Sequence, residues 1–591
     1  MISRVKNNLI ESWPKYILIT ICITLTLYEY KISNIGFDLS DEGCSLSKFR
    51  FPLEVKATIS RDHLYSSILF KFINFDVSEL RKVNLLLLIL SSYILTIGLH
   101  AYVKKYFDTV IIGKVNLTCY LCFILICQLP SLWIERVPSY NNLTSFIALC
   151  TFGLILKWHT RDKDTVNPFI LIIVGILLGV SLIIRPPSGI TGIILIFLII
   201  TSREYKIKNI IFCTIGIISA FILHFVLIES PFLFYEVTKK GFSFHSSLEN
   251  QKELLIFRYF NEIWGNVKFV LLANKFELVI SCIIFSILMK NKMPKRSCAF
   301  CLITLVYISA KHYNFGDLQG GLGLYWSIWR FYIAQFVIIF ILLATYLIVM
   351  KVNFIKFINK DLLLIPVIFS LTPICLAFGT SNLITFNMNF YTSFFFIGII
   401  LFILILFKIR LYSMTTVYLK VALLLFSIGP CYAYINGRMF TNLYTISESS
   451  GGNISSNSEL LVSSNTRLRV THTTKNVADA LCKEINKGKK VLEYLLNFTK
   501  MPGLNFLCDL PHPIQPWTIH MKRNRNFTLE NININQFNNS AIFYRSKDSE
   551  VLGQLNKFFP NWKRTHYSSK EIVYYINDKK VSFTLAIPLD E

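Results

Sequence analysis

The chain contains repeated apolar runs of about 20 residues, and this length constrains its fold more than any other feature. A helix of about 20 residues spans the hydrocarbon core of a bilayer, because each residue adds about 1.5 Å of rise. Of the 591 residues, 53% are hydrophobic and 16% are charged, and the mean hydropathy is +0.51. So few polar side chains cannot cover a soluble assembly, and so much hydrophobicity excludes a disordered chain. The sequence predicts a polytopic α-helical membrane protein.

The candidate membrane spans number 13 and form the first predicted domain, residues 1–436. They lie near residues 16–34, 83–103, 110–130, 143–158, 168–184, 188–201, 209–228, 267–289, 298–310, 328–350, 362–380, 389–407 and 414–436. Arg185-Pro186-Pro187 separates the runs 168–184 and 188–201, and proline interrupts a helix. These two runs form either two spans or one interrupted hairpin within the bilayer.

Lysine and arginine are concentrated in every second connection between the runs. Basic pairs or clusters stand, for example, at Lys104-Lys105, Lys290 to Arg296, and Lys408 to Arg410, and the N-terminus is basic too. Basic loops remain in the cytoplasm, so the N-terminus is predicted to be cytoplasmic and the tail after the last span to lie outside. The net charge of +25 thereby follows largely from topology, and we expect no nucleic-acid partner.

The first outer loop, residues 35–82, opens with an acidic segment. Asp38, Asp41 and Glu42 place three carboxylates within five residues at the membrane boundary, which is unfavourable unless they are solvated or used. We predict all three as candidate catalytic groups, with Asp41 as the main one. Asp38 or Glu42 could instead solvate the loop or cap the following helix. Behind them, the apolar spacing over 62–76 predicts a helix lying along the membrane interface.

The remaining outer connections carry cations and aromatic or amide side chains. A guanidinium binds two phosphate oxygens at once, which makes arginine a good phosphate ligand. The candidate phosphate-binding residues are Arg185, Lys311 and Arg136, and the candidate substrate-binding residues are Tyr140, Asn141, His312 and Asn382. Arg185 could instead anchor to lipid headgroups, and His312 could be an ordinary surface residue. Such groups on one membrane face predict a site for an anionic substrate carried by a lipid.

The cysteines do not form a recognisable metal site. Cys119 and Cys122 are separated by two residues within an apolar run, and no second pair accompanies them, whereas a zinc site needs four ligands. They are interpreted as small apolar residues of a helix. In the tail, Cys482 and Cys508 could form a disulfide in an oxidising compartment.

The tail differs in composition from the membrane domain. Residues 437–466 are rich in Ser, Asn and Gly and are predicted to be a linker. Residues 467–591 are predicted to form a small extracytoplasmic α/β domain, with a helix over 473–488 and strands at 541–544 and 571–576. Trp517 and Trp562 are interpreted as core residues rather than as sugar-stacking residues.

The acidic pair Asp41-Glu42 after the first span, on a chain of about a dozen spans with an outer C-terminal domain, resembles the GT-C superfamily of glycosyltransferases. The segments that resemble a bacterial group of such proteins are Tyr140 to Thr144, Arg185 to Gly189, Ala377 to Asn382, Arg467 to Val470 and Met501 to Leu504.

The resemblance implies a polyprenyl-phosphate-linked sugar as donor and a lipid-linked glycan, such as O-antigen, as acceptor. It also implies an inverting hexosyl transfer with Asp41 as the base. We expect no cofactor and no obligatory metal. The implied location is a bacterial inner membrane, among its lipids, with the C-terminal domain in the periplasm.

Two other kinds of protein have similar layouts. A polysaccharide polymerase or ligase also has about a dozen spans, but its large outer loop lies between late spans rather than at the C-terminus. A transporter or flippase of lipid-linked glycans would have charges within its spans and two similar halves. The sequence has few charges within the runs and no convincing repeat.

Overall fold

The structure is a computed structural model that describes most of the chain. The residues described are 2–107, 116–161, 168–248, 255–291, 360–379, 384–410, 416–439, 459–463, 466–487, 492–516, 522–560, 567–576 and 579–589, with Trp562 and short stretches between 293 and 349.

The N-terminal three quarters of the described chain is helical. Its helices are α1 Ile2–Lys31, α2 Asp41–Arg50, α3 Asp62–Phe72, α4 Val77–Phe107, α5 Leu117–Ile134, α6 Tyr140–His159, α7 Pro168–Ile184, α8 Pro186–Thr201, α9 Lys206–Leu227, α10 Pro231–Leu248, α11 Leu255–Ala273, α12 Lys275–Lys290, α13 Lys360–Ala377, α14 Ile384–Met388, α15 Thr392–Arg410 and α16 Thr416–Met439. Proline begins α7, α8 and α10, where its missing N–H is not needed by the first turn.

The helices pack closely where glycines face each other. A Cβ atom added to Gly98 of α4 would lie 2.0 Å from the carbonyl oxygen of Gly153 in α6. Small residues at a crossing let two helix backbones approach, which is how helices associate where no water drives them together. The pairs α4–α6 and α7–α9 are the most extensive helix contacts, and α5 packs against α1, α4 and α16.

Three helical stretches of the described chain are long and apolar enough to cross a membrane: Val77–Phe107, Lys206–Leu227 and Ile384–Ile405. A fourth is reached if the pair Phe257–Ala273 and Lys275–Lys290, bent by 69°, counts as one span. The predicted number of about 13 spans is not confirmed. Several predicted runs are shorter helices, and the runs 298–310 and 328–350 lie partly outside the described residues.

The chain breaks between α7 and α8 at Arg185. Its φ and ψ are −145° and 88°, outside the helical region. A residue before proline is driven out of the helical region by the proline ring, and Pro186 follows. α7 and α8 are therefore separate helices, and they pack against each other.

The C-terminal domain, which we define as residues 459–589, is a small α/β unit. Its elements are β1 Glu459–Ser463, β2 Thr466–Val470, α17 His472–Lys487, β3 Tyr494–Asn497, α18 Gly503–Leu507, α19 Lys522–Asn531, α20 Ile534–Asn538, β4 Ser540–Arg545, α21 Ser549–Phe558, β5 Tyr567–Ile576 and β6 Lys579–Pro588. The predicted helix and both predicted strands of this domain are confirmed. β1, which pairs with β2, lies within residues 437–466, the stretch predicted to be a linker.

Four strands form a sheet in the order β3-β4-β6-β5, in which β3 and β4 are parallel and the other neighbours are antiparallel. Trp562 is 2% exposed and belongs to the core, as interpreted from the sequence, whereas Trp517 lies outside the described residues. A disulfide joins Cys482 of α17 to Cys508, directly after α18.

The core of the C-terminal domain continues into the first loop of the chain. Phe37, Phe49 and Phe70 of that loop pack in one cluster with Leu504 and Phe583. The domain and the acidic segment are thus parts of one packed structure.

Candidate active site

The acidic segment, defined as residues 36–43, leads into α2, and Asp38, two residues before the N-cap Ser40, accepts hydrogen bonds from the backbone there. The Asp38 Oδ1 atom accepts a hydrogen bond from the N–H of Ser40 at 2.9 Å, and Oδ2 accepts one from the N–H of Glu42 at 3.0 Å. A side-chain oxygen at this position satisfies N–H groups that have no partner within the helix. Burial, with the charge of Asp41, raises the pKa of Asp38 to about 7. The Asp38 side chain thus binds backbone N–H groups at the start of α2, which favours the alternative that it caps the helix, and its catalytic role stays a prediction.

Glu42 is held by Arg81 of α4 in a buried ion pair. Arg81 Nε donates to Oε1 at 2.8 Å and Nη2 donates to Oε2 at 2.7 Å. Arg81 also donates to the carbonyl oxygens of Ser33 and Gly36. Both carboxylate oxygens of Glu42 are occupied by this contact, and the catalytic role predicted for Glu42 stays a prediction.

Arg136, which was predicted to bind phosphate, donates hydrogen bonds to the backbone that follows α1. Its Nη1 donates to the carbonyl oxygen of Ile35 at 2.5 Å and its Nη2 to that of Ile32 at 2.7 Å. Its Nε lies 3.8 Å from Glu29. These carbonyl oxygens belong to the turn that directly follows α1, and the guanidinium supplies them with donors. Both terminal nitrogens of Arg136 are thus used within the protein, and phosphate binding by Arg136 stays a prediction.

Asp41 differs from its two acidic neighbours because its side chain is exposed. Burial nevertheless raises its pKa to about 6, opposed by the positive charge of Lys48. An accessible carboxylate that is still partly desolvated lies in a recess rather than on an open surface. Such a group can take up and release a proton near neutral pH.

Lys48 lies two turns after Asp41 on α2 and faces the same recess. Burial lowers the pKa of Lys48, but the charges of Cys44, Asp62, Glu135 and Asp41 outweigh burial and raise it. Residues seven apart in a helix share a face, which brings Asp41 and Lys48 together. One cation therefore lies among carboxylates from α2, from the start of α3 and from the loop after α5.

Glu135 connects this group of charges to α6. Its Oε1 accepts a hydrogen bond from Asn141 Nδ2 at 3.2 Å, whereas Oε2 is buried without a hydrogen-bond partner among the described residues. Burial and then the charge of Asp41 raise the pKa of Glu135 to about 8. The charge of Arg185 lowers the pKa of the same carboxyl group, so Asp41 and Arg185 both lie within electrostatic reach of Glu135.

Arg185 lies where three of the segments singled out in the sequence meet. Its Nη1 donates to Asn141 Oδ1 at 2.7 Å and to the hydroxyl of Tyr391 at 3.4 Å, and its Nη2 donates to the carbonyl oxygen of Ala377 at 3.2 Å. The ring centroid of Tyr140 lies 5.4 Å from the guanidinium carbon, a cation–π distance.

The guanidinium of Arg185 has no carboxylate at ion-pairing distance among the described residues. The residue is 3% exposed, and its Nε is buried without a partner. Burying a charge without a counter-charge is unfavourable by several kcal/mol. Within the described residues, the guanidinium of Arg185 thus has no ion-pair partner, although its charge lowers the pKa of Glu135.

Of the other predicted site residues, the structure describes only Lys311, and Lys311 lies elsewhere. Lys311 pairs with Glu277 and donates to the carbonyl oxygen of Ala273 at 3.2 Å, and within the described ranges it makes no contact with the residues around Asp41. His312 and Asn382 lie outside the described residues.

Sequence reasoning did not select Lys48, Asp62, Arg81 or Glu135 as site residues. A helix over 41–50 would have placed Lys48 on the face of Asp41, so that residue could have been found from the spacing alone. Arg81 could not be found in this way, because its partner Glu42 lies 39 residues earlier. In the part of the chain that the structure describes, no three His, Cys, Asp or Glu side chains are grouped so that they could hold a metal ion. The metal requirement stays a prediction.

The structure is that of a multi-helix protein with helices suited to crossing a bilayer. An accessible carboxylate, Asp41, and a buried arginine without an ion-pair partner among the described residues, Arg185, both act on Glu135. No protein-family model and no curated protein sequence matches the chain. Two solved structures are similar to it, both of ArnT from Cupriavidus metallidurans. The structure of ArnT bound to undecaprenyl phosphate has a TM-score of 0.42 and 9% identity over 97% of this chain and 98% of that chain. The apo structure has a TM-score of 0.41 and 10% identity over 96% and 97% of the two chains.

Proposed function

We propose that this chain is a membrane glycosyltransferase that moves a sugar from a polyprenyl-phosphate-linked donor to a hydroxyl group of a lipid-linked glycan. The observation that carries the proposal is Arg185, a buried guanidinium without a counter-charge among the described residues. A phosphate ligand would supply that charge, and it would bind to a group whose fork geometry matches phosphate oxygens.

Asp41 is the proposed general base. It is the accessible carboxylate of the acidic segment, whereas Asp38 caps α2 and Glu42 pairs with Arg81. In the proposed step, the hydroxyl of the acceptor transfers its proton to Asp41 while its oxygen bonds to the anomeric carbon of the sugar. The bond between that carbon and the phosphate oxygen breaks, and attack from the opposite side inverts the configuration.

Arg185 is the proposed partner of the leaving polyprenyl phosphate. Negative charge develops on the phosphate as its bond to the sugar breaks, and a fixed cation stabilises that charge most where water is excluded. Lys48 is a second cation of the recess and lies beside Asp41. Tyr140 and Asn141, which support Arg185, are proposed to line the site for the donor.

The proposed acceptor is a glycan such as O-antigen and the proposed donor sugar is a hexose, both from the resemblance to the GT-C superfamily. The proposed location is a bacterial inner membrane, with a cytoplasmic N-terminus and a periplasmic C-terminal domain. The disulfide between Cys482 and Cys508 supports this orientation, because disulfides persist in oxidising compartments.

The test compares the surface glycans of cells with and without the chain by mass spectrometry. The proposal expects a mass increase of one sugar per acceptor unit in cells carrying the wild-type chain. Asp41→Asn should lower transfer by at least about 100-fold, the usual contribution of a general base. Glu79→Gln is the matched control, since Glu79 is an exposed residue that pairs with Lys82.

Immunoblots of the membrane fraction would establish equal amounts of each variant. An unchanged glycan in cells with the wild-type chain would overturn the proposal. Longer chains of unmodified repeats would instead favour a polymerase or ligase. Altered export of lipid-linked glycan without added sugar would favour a flippase.

A further inference from the structure

We propose that the C-terminal domain positions the active-site helix, and that Gly503 of α18 is the positioning residue that sets the location of Asp41. The inference rests on the proposed function, because it assigns the domain a part in the same site. It is carried by the contacts between α18 and the first turn of α2.

The backbones of α18 and α2 touch at two glycines. The N–H of Gly503 donates to the carbonyl oxygen of Leu39 at 2.8 Å. A Cβ atom on Gly503 would lie 2.9 Å from the ring of Phe37, 3.0 Å from the Cα of Leu39 and 3.1 Å from the Cα of Gly43. No side chain fits between the two helices, so α18 fixes the backbone two residues from Asp41.

The far end of α2 is held by the same domain. Arg50 Nε lies 3.0 Å from Asp509 Oδ1, and Asp509 directly follows the disulfide-bonded Cys508. Just before α2, the ring of Phe37 also stacks on the ring of Phe506 in the domain, with centroids 6.1 Å apart. Contacts at both ends of a ten-residue helix fix its rotation as well as its position.

The strand β2 holds the chain just before α2. The N–H of Gly36 donates to the carbonyl oxygen of Arg469 at 2.7 Å, and the N–H of Arg469 donates to that of Asn34 at 2.8 Å. Arg81 donates to the carbonyl oxygens of the same stretch, including Gly36. The acidic segment is thus held between the C-terminal domain and α4.

The face of α2 that carries Asp41 is the one that the domain does not contact. The domain contacts Leu39, Gly43 and Arg50, whereas Asp41 is exposed and interacts with Lys48. Displacing a catalytic group by about 1 Å lowers a rate by about 100-fold. A shift of α2 caused at Gly503 should therefore appear as a loss of transfer without any change to the residues that face the recess.

The test compares Gly503→Ala with Gly553→Ala, a matched change in α21 of the same domain where an added Cβ meets no atom within 4 Å. Each is made alone for transfer assays. Each is also combined with Asp41→Cys, and a negatively charged thiol reagent then labels residue 41 at a rate measured by mass spectrometry of its peptide. Folding of the domain is checked by formation of the Cys482–Cys508 disulfide.

Gly503→Ala is expected to change the labelling rate by at least about threefold, to lower transfer by about 100-fold and to shift the pH of half-maximal transfer. Gly553→Ala should leave all three as in wild type. Loss of folded protein alone would lower transfer at an unchanged pH midpoint. An unchanged labelling rate in a disulfide-bonded Gly503→Ala protein would overturn the positioning role.

A second variant covers the case in which Gly503→Ala does not form the disulfide. Gly43→Ala changes the other side of the same contact, because a Cβ atom there would lie 2.4 Å from the Cα of Gly503, and it leaves every residue of the C-terminal domain unchanged. It is expected to change the labelling rate by at least about threefold through the same displacement of α2, and an unchanged rate would overturn the proposal. Because labelling needs no transfer, it separates the two ideas: a wild-type chain that transfers no sugar would contradict the proposed function alone.

Discussion

Glu42 and Arg81 form a buried ion pair with two contacts, which fixes the acidic segment to α4. Burial by itself raises the pKa of Glu42, but the charge and hydrogen bonds of Arg81, together with the charge of Arg136, outweigh it and lower the pKa below 4.5. Asp41, one residue earlier, has no such partner and has a raised pKa. Neighbouring carboxylates of one motif thus have opposite electrostatic environments.

Glu42→Gln is expected to destabilise the fold rather than to remove a catalytic group. Removing one partner of a buried ion pair leaves the other charge uncompensated and lowers the free energy of unfolding by about 3–5 kcal/mol. The lowered pKa means that this contribution is complete above about pH 4.5 and is lost as the pH falls through the folded value. Thermal unfolding in detergent between pH 4 and 8 measures this contribution of the ion pair to stability.

Glu79→Gln provides the comparison, since its ion pair with Lys82 is solvent-exposed and such pairs contribute at most about 1 kcal/mol. A Glu42→Gln protein with wild-type stability but no transfer would contradict the structural role and make Glu42 catalytic.

The elements that could be predicted from the sequence are those whose signal is local. Apolar periodicity predicted α17, and alternation predicted β4 and β5, because each pattern lies within one element. Proline at 186 and 187 predicted the break at Arg185. The bend between α11 and α12 at Asn274 was not predicted, since the apolar run continues through it.

The partition of roles within the acidic segment could not be predicted, because it depends on distant parts of the chain. Arg81 lies 39 residues from Glu42, and Gly503 contacts Leu39 from the opposite end of the sequence. The sequence did select the segments around Asn141, Arg185 and Ala377, and the structure brings these three into hydrogen-bonded contact. Their common location supports reading them as one site.

The rate of transfer should depend on pH through Asp41. A base must be deprotonated, and the pKa of Asp41 is raised to about 6, so transfer should fall as the pH drops through about 6. If the base had the pKa of an ordinary aspartate, the pH of half-maximal transfer would be about 3.9. Glu135, with a pKa of about 8, stays protonated across this range and should not contribute to the lower limb.

The measurement is transfer at limiting substrate concentration between pH 5 and 7.5 in proteoliposomes. Glu135→Gln serves as the comparison and should keep a midpoint near that of wild type. A midpoint below about pH 5 in the wild-type protein would argue against a desolvated Asp41 as the base.

Arg185→Ala should weaken binding of the proposed leaving group, a polyprenyl phosphate, by about 10- to 100-fold, the effect of losing hydrogen bonds to a charged group. Arg185→Lys should recover only part of this, because an ammonium cannot match the fork that contacts Asn141 and Ala377 while it holds phosphate. Binding is measured on purified protein by tryptophan fluorescence at increasing lipid phosphate.

Arg203→Ala is a suitable comparison, since Arg203 is a buried arginine that donates to the carbonyl oxygen of Arg161 rather than to the recess. The Arg203→Ala protein should bind polyprenyl phosphate as the wild-type protein does. If Arg185→Ala and the wild-type protein bound polyprenyl phosphate equally well, Arg185 would have only a structural role, connecting α6, α8 and α13.

Cys482→Ser should destabilise the C-terminal domain and release α18. The disulfide joins residues 26 positions apart, and closing a loop of that size stabilises a fold by about 3 kcal/mol. The expected result is a lower unfolding midpoint for the domain and faster proteolysis after residue 500, measured by limited digestion of membranes. Cys375→Ser, which changes a free cysteine of α13, should behave as wild type. If Cys482 and Cys508 were found reduced in protein taken directly from cells under alkylating conditions, the domain would lie in a reducing compartment, and the proposed periplasmic location would be wrong.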